Sequence, residues 1–398
     1  MKTDVPVIVP VLDRPRSGND ASAAPTGKQP ADRTVTPIRV DSVTALRWFA
    51  AAGVFSFHTK GYFNEIPSLT SLMQIGYEGV PFFFVLSGFV MAWSAKPGGT
   101  ARQFYWRRFA RIWPLLAVTA VVAGLLEKQW YGTPFSFTGL LYTLSFTQAW
   151  TTDHFFTVNI VTWTLSVEAF FYLAFPLLYK LLDRCASWCL GLIAVLMTAA
   201  TAGTRLWPVW HHYPAATERL IFASPLALTP MFVLGICAAV AARRGWRPPV
   251  GARVSIALLA GVIALCWAWT RHPHWVSHVV PAPGMFDALF MPIFALTITT
   301  VALRDVRSGA SLLRRKALVK LGEWSFAFYM CHAIVLRAFS HYGSGASPGV
   351  RHDAVVVAIM LVSSVTAAAF LHECVEKPAE RRLKRLWTPG RKAAAVPA

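Results

Sequence analysis

The sequence has few charged residues and very few acidic ones. Charged residues make up 14% of its 398 residues, and 19 Asp and Glu stand against 38 Lys and Arg. Soluble domains carry about a quarter charged residues. Because hydrophobic residues reach 55%, the chain lacks the polar surface to cover them in water. The composition therefore excludes an ordinary soluble protein and favours a membrane protein.

Several other features of soluble or secreted proteins are also missing. The six cysteines form no CxxC pair and no His/Cys cluster at zinc spacing, so we expect no metal site and interpret them as small core residues. Residues 1–40 contain six prolines but no apolar stretch long enough for a signal-peptide core, and we expect a disordered tail. The net charge of +19 does not indicate a nucleic-acid binder, because the basic residues lie between hydrophobic runs.

Apolar segments of about twenty residues, the length that crosses a bilayer as a helix, alternate with short polar connections. They predict an all-α integral membrane protein with a bundle of about ten transmembrane helices. The predicted spans are residues 42–60, 76–95, 109–126, 161–182, 187–204, 222–242, 252–270, 286–303, 318–337 and 354–373.

The positions of Lys and Arg indicate how the chain is oriented. With ten spans, the loops on one side hold 17 basic residues and those on the other side hold seven. Cytoplasmic loops collect positive charge, so both termini are predicted to be cytoplasmic. Residues 129–152 are uncharged and could form an eleventh span, but that span would destroy the asymmetry. We therefore interpret residues 127–160 as an external loop with re-entrant or interfacial helices.

Ionisable residues inside spans are costly and are candidates for function. In the first span, Arg47 and His58 are eleven residues apart, which places them on one helix face about 16 Å apart along the axis. Arg47 could meet a phosphate or carboxylate of an elongated ligand that enters from the cytoplasm. His58 could take a proton deeper in the bundle. The alternative is that His58 caps the helix or hydrogen-bonds a neighbouring span.

Four further residues stand out at or within the spans. Glu168 could orient a histidine, pair with Arg47, or form a purely structural ion pair. His332 is more simply explained as a satisfied core histidine. Arg108 and Arg111 lie one turn apart at the cytoplasmic end of the third span, where they could bind a phosphate or merely anchor the helix by the positive-inside rule.

Six motifs occur in order between about residues 40 and 378. They are Asp41 to Arg47 with His58, Gly79 to Phe89, Arg107-Arg108-x-x-Arg111-Ile-x-Pro114, Trp163-Thr-Leu-Ser-Val-Glu168-x-x-Phe171-Tyr172, Leu321-Gly-x-x-Ser325-x-x-x-Tyr329-x-x-His332 and Glu376-x-Pro378. Together, and in this order, the six motifs resemble those of the membrane-bound acyltransferase 3 family.

The resemblance implies an integral membrane enzyme that moves an acyl group from acyl-coenzyme A to a hydroxyl group. By the family's motifs, His58 would be the catalytic base or a transient acyl carrier, and Glu168 would stabilise its charged imidazole. Arg47, Arg108 and Arg111 would bind the acyl-coenzyme A donor, with His332 in a supporting role. Acyl-coenzyme A is then a substrate, and no permanently bound cofactor or metal is expected.

The same resemblance implies how the chain is organised. The membrane domain would span residues 41–378, between a disordered cytoplasmic tail over 1–40 and a basic cytoplasmic tail over 379–398. The family's usual opening is altered here at Ala45 and Trp48, but Arg47 and His58 keep their places. We expect a multi-pass protein of the bacterial plasma membrane.

Two classes of hydroxyl compound are compatible with the resemblance as the acceptor of the acyl group. Stand-alone family members with a Leu-Arg-Trp-Phe-Ala-Ala opening look like enzymes that acylate macrolides or similar glycosylated secondary metabolites. The alternative is O-acetylation of a cell-surface polysaccharide or lipopolysaccharide. A secondary transporter is a remoter alternative, since the basic loop 97–108 lacks the acidic residue expected in a transporter loop. No histidine has Asp four residues later, which excludes a soluble HxxxD acyltransferase.

Overall fold

The computed structural model describes residues 40–95, 100–132, 134–211, 213–271, 286–307, 310–342 and 349–386. Residues 1–39 of the predicted N-terminal tail and 387–398 of the predicted C-terminal tail lie outside this description. Within the described residues the chain is helical throughout and contains no strand. The prediction of an all-α fold is confirmed.

Fourteen α-helices occur in the described part of the chain. They are α1 (Asp41–Thr59), α2 (Pro67–Gln74), α3 (Gly79–Trp93), α4 (Ala101–Tyr131), α5 (Phe137–Leu144), α6 (Trp163–Leu182), α7 (Ser187–Trp210), α8 (Ala215–Ala223), α9 (Pro225–Arg243), α10 (Ala252–Arg271), α11 (Asp287–Val306), α12 (Lys316–Tyr342), α13 (Val350–Leu371) and α14 (Lys377–Leu386).

Each predicted span coincides with one long helix, but the number of membrane crossings stays a prediction. Among the described residues, eight helical stretches are long and apolar enough to cross a bilayer, and they contain α3, α4, α6, α7, α9, α10, α11 and α13. The helices α1 and α12 are also long. They are less apolar because α1 contains Arg47 and His58, and α12 contains His332 and several charged residues.

The region that could have formed an eleventh span is too short to cross a membrane. Residues 129–152 contain the end of α4, the eight residues of α5 and a short 3₁₀ turn at Gln148–Trp150. A crossing needs about 20 helical residues. The segment therefore does not form an eleventh span, and its place on the external side stays a prediction.

The two ends of the described chain lie at the same end of the bundle. The Trp106 indole at the start of α4 donates to the Leu383 carbonyl of α14 at 2.8 Å. At the start of α1, the Ser42 hydroxyl donates to Asp305 Oδ1 near the end of α11 at 2.6 Å. This arrangement fits an even number of crossings. The assignment of this end to the cytoplasm stays a prediction.

The helices α3 and α9 cross at the centre of the bundle through two glycines. A Cβ on Gly88 would collide with the Phe232 carbonyl, and a Cβ on Gly235 would collide with the Val85 carbonyl. Small residues let helix backbones approach this closely in membranes. Around the crossing, Phe171 stacks on Phe232 with ring centroids 4.6 Å apart, so the centre is closely packed.

The helices α1 and α12 run side by side in the same direction. Near their starts, Gly322 abuts the backbone of Thr44, leaving no room for a side chain. Further along, the Trp48 and Phe328 rings meet edge to face at 5.1 Å. Because the two helices are parallel and in close contact, polar residues on their facing sides are brought together along the length of α1.

The cysteines follow the prediction in part. Cys237, Cys266 and Cys331 are buried, which confirms their interpretation as core residues, and two others are half-buried. Cys374 is exposed, and the prediction was wrong there because the buried side chains of the turn between α13 and α14 are those of His372 and Glu376.

Candidate active site

A cavity of about 250 Å³ lies at the end of the bundle where the described chain starts and finishes. It is lined by α1, α3, α4, α6, α12 and the turn that joins α13 to α14. Four residues selected from the sequence are brought together in its wall, namely Arg47, Arg108, Arg111 and Glu168. We call it the arginine cavity.

The three arginines of the cavity present their guanidinium groups to it. Among the described residues, none of their guanidinium groups makes a hydrogen bond or a close ion pair with another side chain. Arg108 lies over the rings of Phe104 and Tyr172, with its Cζ 5.4 and 5.5 Å from their centroids. Guanidinium donors left free in a half-buried cavity suit a phosphate or carboxylate ligand.

Carboxylates balance these arginines at longer range. Arg47 interacts electrostatically with Glu376 and Glu168, and Arg111 interacts with Glu380 and Glu376. The cavity wall therefore carries both positive and negative side chains. An anion that enters it can bind the guanidinium groups without displacing a protein carboxylate from a direct bond.

Glu168 belongs to the arginine cavity and does not contact either candidate histidine. Its Oε1 accepts a hydrogen bond from the Tyr172 hydroxyl one helical turn later, and a second from Ser87 Oγ at 3.4 Å. The structure thus brings Glu168 towards the arginines, one of the alternatives considered from the sequence. It does not bring Glu168 to the imidazole of His58.

His58 instead pairs with His332. His58 Nδ1 near the end of α1 lies 3.0 Å from His332 Nε2 in α12. On the other side of the His332 ring, Nδ1 lies 2.8 Å from the carbonyl oxygen of Tyr329 and 3.2 Å from that of Phe328. His332 is completely buried. We call these two residues the histidine pair.

Tyr329 separates the arginine cavity from the histidine pair. It lines the cavity, and its hydroxyl lies 3.0 Å from Thr164 Oγ1 across the bundle. Its ring centroid is 5.8 Å from that of His332. Neither His58 nor His332 lines the cavity itself. A ligand held by the arginines would meet Tyr329 on its way to the histidine pair.

The sequence motifs include Glu376 but assign no role to His372, which lies beside it in the cavity wall. A π-helical turn at His372–Glu376 places both of its end residues in the cavity wall. His372 Nδ1 lies 2.8 Å from Glu376 Oε2, and His372 Nε2 is buried without a partner. π-Turns are frequent at functional sites. The signal available was the spacing of four residues between these side chains.

No cluster of three or more metal-ligating side chains occurs in the parts of the chain that the structure describes. The polar groups of the region are guanidinium, imidazole, hydroxyl and carboxylate groups, and these can bind anions and move protons.

Comparisons with known proteins match the chain to an acyltransferase family model and to three relatives. A family model described as an acyltransferase domain matches residues 40–373. The chain is 34% identical over 380 residues to acyltransferase MdmB of Streptomyces mycarofaciens. This alignment covers 87% of this chain and 93% of that protein. It is 26% identical over 322 residues to nodulation protein 10 of Rhizobium leguminosarum bv. viciae, covering 75% and 83%.

A third match is shorter. A putative acetyltransferase, ORF330 of Acidianus two-tailed virus, is 28% identical over 141 residues, covering 35% of this chain and 41% of that protein. No solved structure matches. The family match includes both members of the histidine pair and the cavity residues Arg47, Arg108, Arg111 and Glu168. The chain therefore belongs to the membrane-bound acyltransferase 3 family, as its sequence motifs predicted.

Proposed function

We propose that this protein is an integral membrane O-acyltransferase that transfers an acyl group from acyl-coenzyme A to a hydroxyl group. The observation that carries the proposal is the arrangement along α1. Arg47 lies in a cavity with two more arginines that lack direct partners, and His58 lies further along the same helix in contact with His332. Such a site can hold an anionic donor at one end and accept a proton at the other.

In this proposal the arginine cavity holds the phosphate groups of acyl-coenzyme A. Arg108 and Arg111 are one turn apart on α4 and face the cavity together with Arg47. Guanidinium groups bind phosphate through paired, charge-assisted hydrogen bonds. The donor would enter from the basic end of the bundle, which the positive-inside rule assigns to the cytoplasm of a bacterial cell.

The rest of the donor would extend along α1 towards the histidine pair. Eleven residues of α-helix span about 16 Å, so the thioester would lie well inside the bundle when the phosphates occupy the arginine cavity. The thioester arm would pass the Tyr329 side chain, which lines the cavity and contacts Thr164. Exclusion of water there would protect the thioester from hydrolysis.

His58 would act as a general base on the acceptor. Its Nε2 would take the proton of the acceptor hydroxyl as the oxygen attacks the thioester carbonyl. The carbon–sulfur bond would then break, and the thiolate leaving group would recover the proton from the imidazolium. The products are the ester and free coenzyme A. Glu168 would hold the Tyr172 side chain and balance the arginines.

For the acceptor we propose a macrolide or a similar glycosylated secondary metabolite. The support comes from the opening Leu46-Arg-Trp-Phe-Ala-Ala51, which resembles that of family members acting on such compounds. Similarity to an acyltransferase of a Streptomyces over nearly the full length of both proteins is consistent with this choice. Cell-surface glycans are the alternative acceptors to be tested beside it.

The test measures free thiol released from acetyl-coenzyme A by the purified protein in lipid nanodiscs. We expect release that depends on a macrolide acceptor, with a product heavier by one acetyl group in mass spectrometry. The His58→Ala variant should release no thiol. A matched control, His352→Ala, changes a half-exposed histidine in the first turn of α13 and should keep full activity.

Two results would contradict the proposal. Turnover close to normal in inserted His58→Ala protein would remove His58 from the chemistry. Absence of thiol release with every acceptor tried, together with uptake of a solute by proteoliposomes, would favour a transporter. Ester formation on a polysaccharide but not on a macrolide would keep the enzyme and change its acceptor.

A further inference from the structure

The histidine pair has a fixed pattern of donors and acceptors that starts from the backbone. His332 Nδ1 faces two carbonyl oxygens, those of Tyr329 at 2.8 Å and Phe328 at 3.2 Å. A carbonyl oxygen can only accept a hydrogen bond. His332 Nδ1 must therefore carry a hydrogen and donate it to the backbone of its own helix.

The hydrogen positions on the His332 ring determine those on the His58 ring. A neutral imidazole has one donor nitrogen and one acceptor nitrogen, so His332 Nε2 is bare. It lies 3.0 Å from His58 Nδ1, a distance that requires one hydrogen between the two atoms. That hydrogen must sit on His58 Nδ1. The Nε2 atom of neutral His58 is then left with a free lone pair.

Both rings are neutral in the resting site for a physical reason. His332 is completely buried, and an imidazolium beside a second imidazole in this apolar environment would lose its hydration without gaining a counter-ion. Among the described residues, neither histidine has a hydrogen bond to a carboxylate, and Glu168 bonds instead to Tyr172 and Ser87.

The position of the His332 ring is enforced by its packing. The ring stacks on Phe328 with centroids 5.8 Å apart and planes 13° from parallel. The backbone of the same helical turn is held by Asn159, whose Nδ2 donates to the Met330 carbonyl at 3.0 Å. The ring therefore cannot turn over without breaking bonds to its own helix, and its acceptor nitrogen stays aimed at His58.

We propose that His332 is a positioning residue that selects the tautomer of His58 in which Nε2 is the free base. This inference rests on the proposed acyl transfer. A free neutral histidine populates both tautomers, and only one of them presents a bare Nε2. When Nε2 takes the acceptor proton, the charged His58 ring donates a stronger hydrogen bond from Nδ1 to His332. No proton leaves the pair, because His332 Nδ1 already holds one.

The experiment compares two substitutions at His332 in the full-length protein. In His332→Gln, the amide oxygen can accept from His58 Nδ1, whereas His332→Leu fills the space without an acceptor. We expect His332→Leu to lower kcat about 10- to 100-fold with little change in the KM for acetyl-coenzyme A, since a hydrogen bond to a charged group is lost in the transition state. We expect His332→Gln to restore most of kcat.

The tautomer itself is measured by nitrogen NMR of protein labelled in its histidine rings. The His58 signals are assigned by their loss in a His58→Asn variant. In the unsubstituted protein we expect hydrogen on Nδ1 and none on Nε2 of His58. In His332→Leu we expect a mixture of the two tautomers. A purely structural role of His332 would change stability but not this ratio.

The outcomes separate this inference from the proposed function. If His58→Ala is inactive while His332→Leu keeps kcat and the Nδ1-protonated form of His58, the positioning role is refuted and the acyltransferase proposal stands. If His58→Ala is active, the proposed function fails first. If His332→Leu does not fold, hydrogen on His58 Nε2 in the unsubstituted protein would by itself overturn the inference.

Discussion

Substitution of Arg111 by glutamine is expected to weaken binding of the donor while leaving the fold intact. The guanidinium faces the arginine cavity and makes no direct bond within the described chain, so no protein bond is lost. The two carboxylates that it balances keep other partners, since Glu376 bonds to His372 and Glu380 bonds to Lys384. The change therefore removes mainly what Arg111 offers to a ligand.

The size of the effect follows from the kind of bond. A hydrogen bond between charged groups is worth about 1.5–3 kcal/mol. Each 1.4 kcal/mol corresponds to a factor of ten in affinity, so the KM for acetyl-coenzyme A should rise about 10- to 100-fold in Arg111→Gln. If the bond to phosphate is equally strong before and during reaction, kcat should stay nearly constant.

The assay uses two donors and one neighbouring control residue. Acetyl-pantetheine carries the thioester but lacks the nucleotide phosphates, so Arg111→Gln should leave its turnover unchanged. Arg107 is exposed on the same helix and does not line the cavity, and Arg107→Gln should have little effect on either donor. An equal loss with both donors, or an equal loss in both variants, would refute a phosphate contact by Arg111.

Two further substitutions test the surroundings of the site. Tyr172→Phe removes the hydroxyl that donates to Glu168, and we expect kcat/KM measured by thiol release to fall about tenfold; an unchanged value would show that this bond is not needed. Asp287→Leu breaks the buried pair in which Arg205 Nε donates to Asp287 Oδ2 at 2.8 Å, and we expect a loss of about 3–5 kcal/mol of stability, seen as a lower unfolding temperature in detergent. A melting curve identical to that of the unsubstituted protein would contradict the second expectation.

The positions of the long helices could be predicted from the sequence because the bilayer imposes a length on apolar segments. The predicted span 161–182 corresponds to Trp163–Leu182, and 252–270 corresponds to Ala252–Arg271. The largest error is α4, which begins at Ala101 rather than 109. The first two turns of α4 carry arginines and aromatic residues. Hydropathy therefore marks where α4 enters the apolar layer, and not where the helix begins.

The residues selected from the sequence lie in the arginine cavity and the histidine pair, but their contacts could be predicted only in part. The turn of helix between Glu168 and Tyr172 could be recognised from their spacing of four residues. The contact between His58 and His332 could not, because 274 residues separate them and only the parallel packing of α1 and α12 brings them together. For the same reason, the sequence could not show that Glu168 faces the arginines rather than His58.

The polar residues that lower the hydropathy of α1 and α12 include those to which the proposed chemistry is assigned. A helix that spans a membrane can hold an arginine or a histidine only where protein or water, and not lipid, surrounds it. In this bundle α1 and α12 provide that shelter for each other, with the histidine pair between them and Arg47 in the cavity beside them. Because Arg47 and His58 lie on one helix, the distance between this arginine and the base does not depend on how the other helices move. The reach of an acceptable donor would thus be set by α1 together with the placement of Arg108 and Arg111 on α4, whereas the choice of acceptor would depend on whatever approaches His58 from the side opposite the arginines.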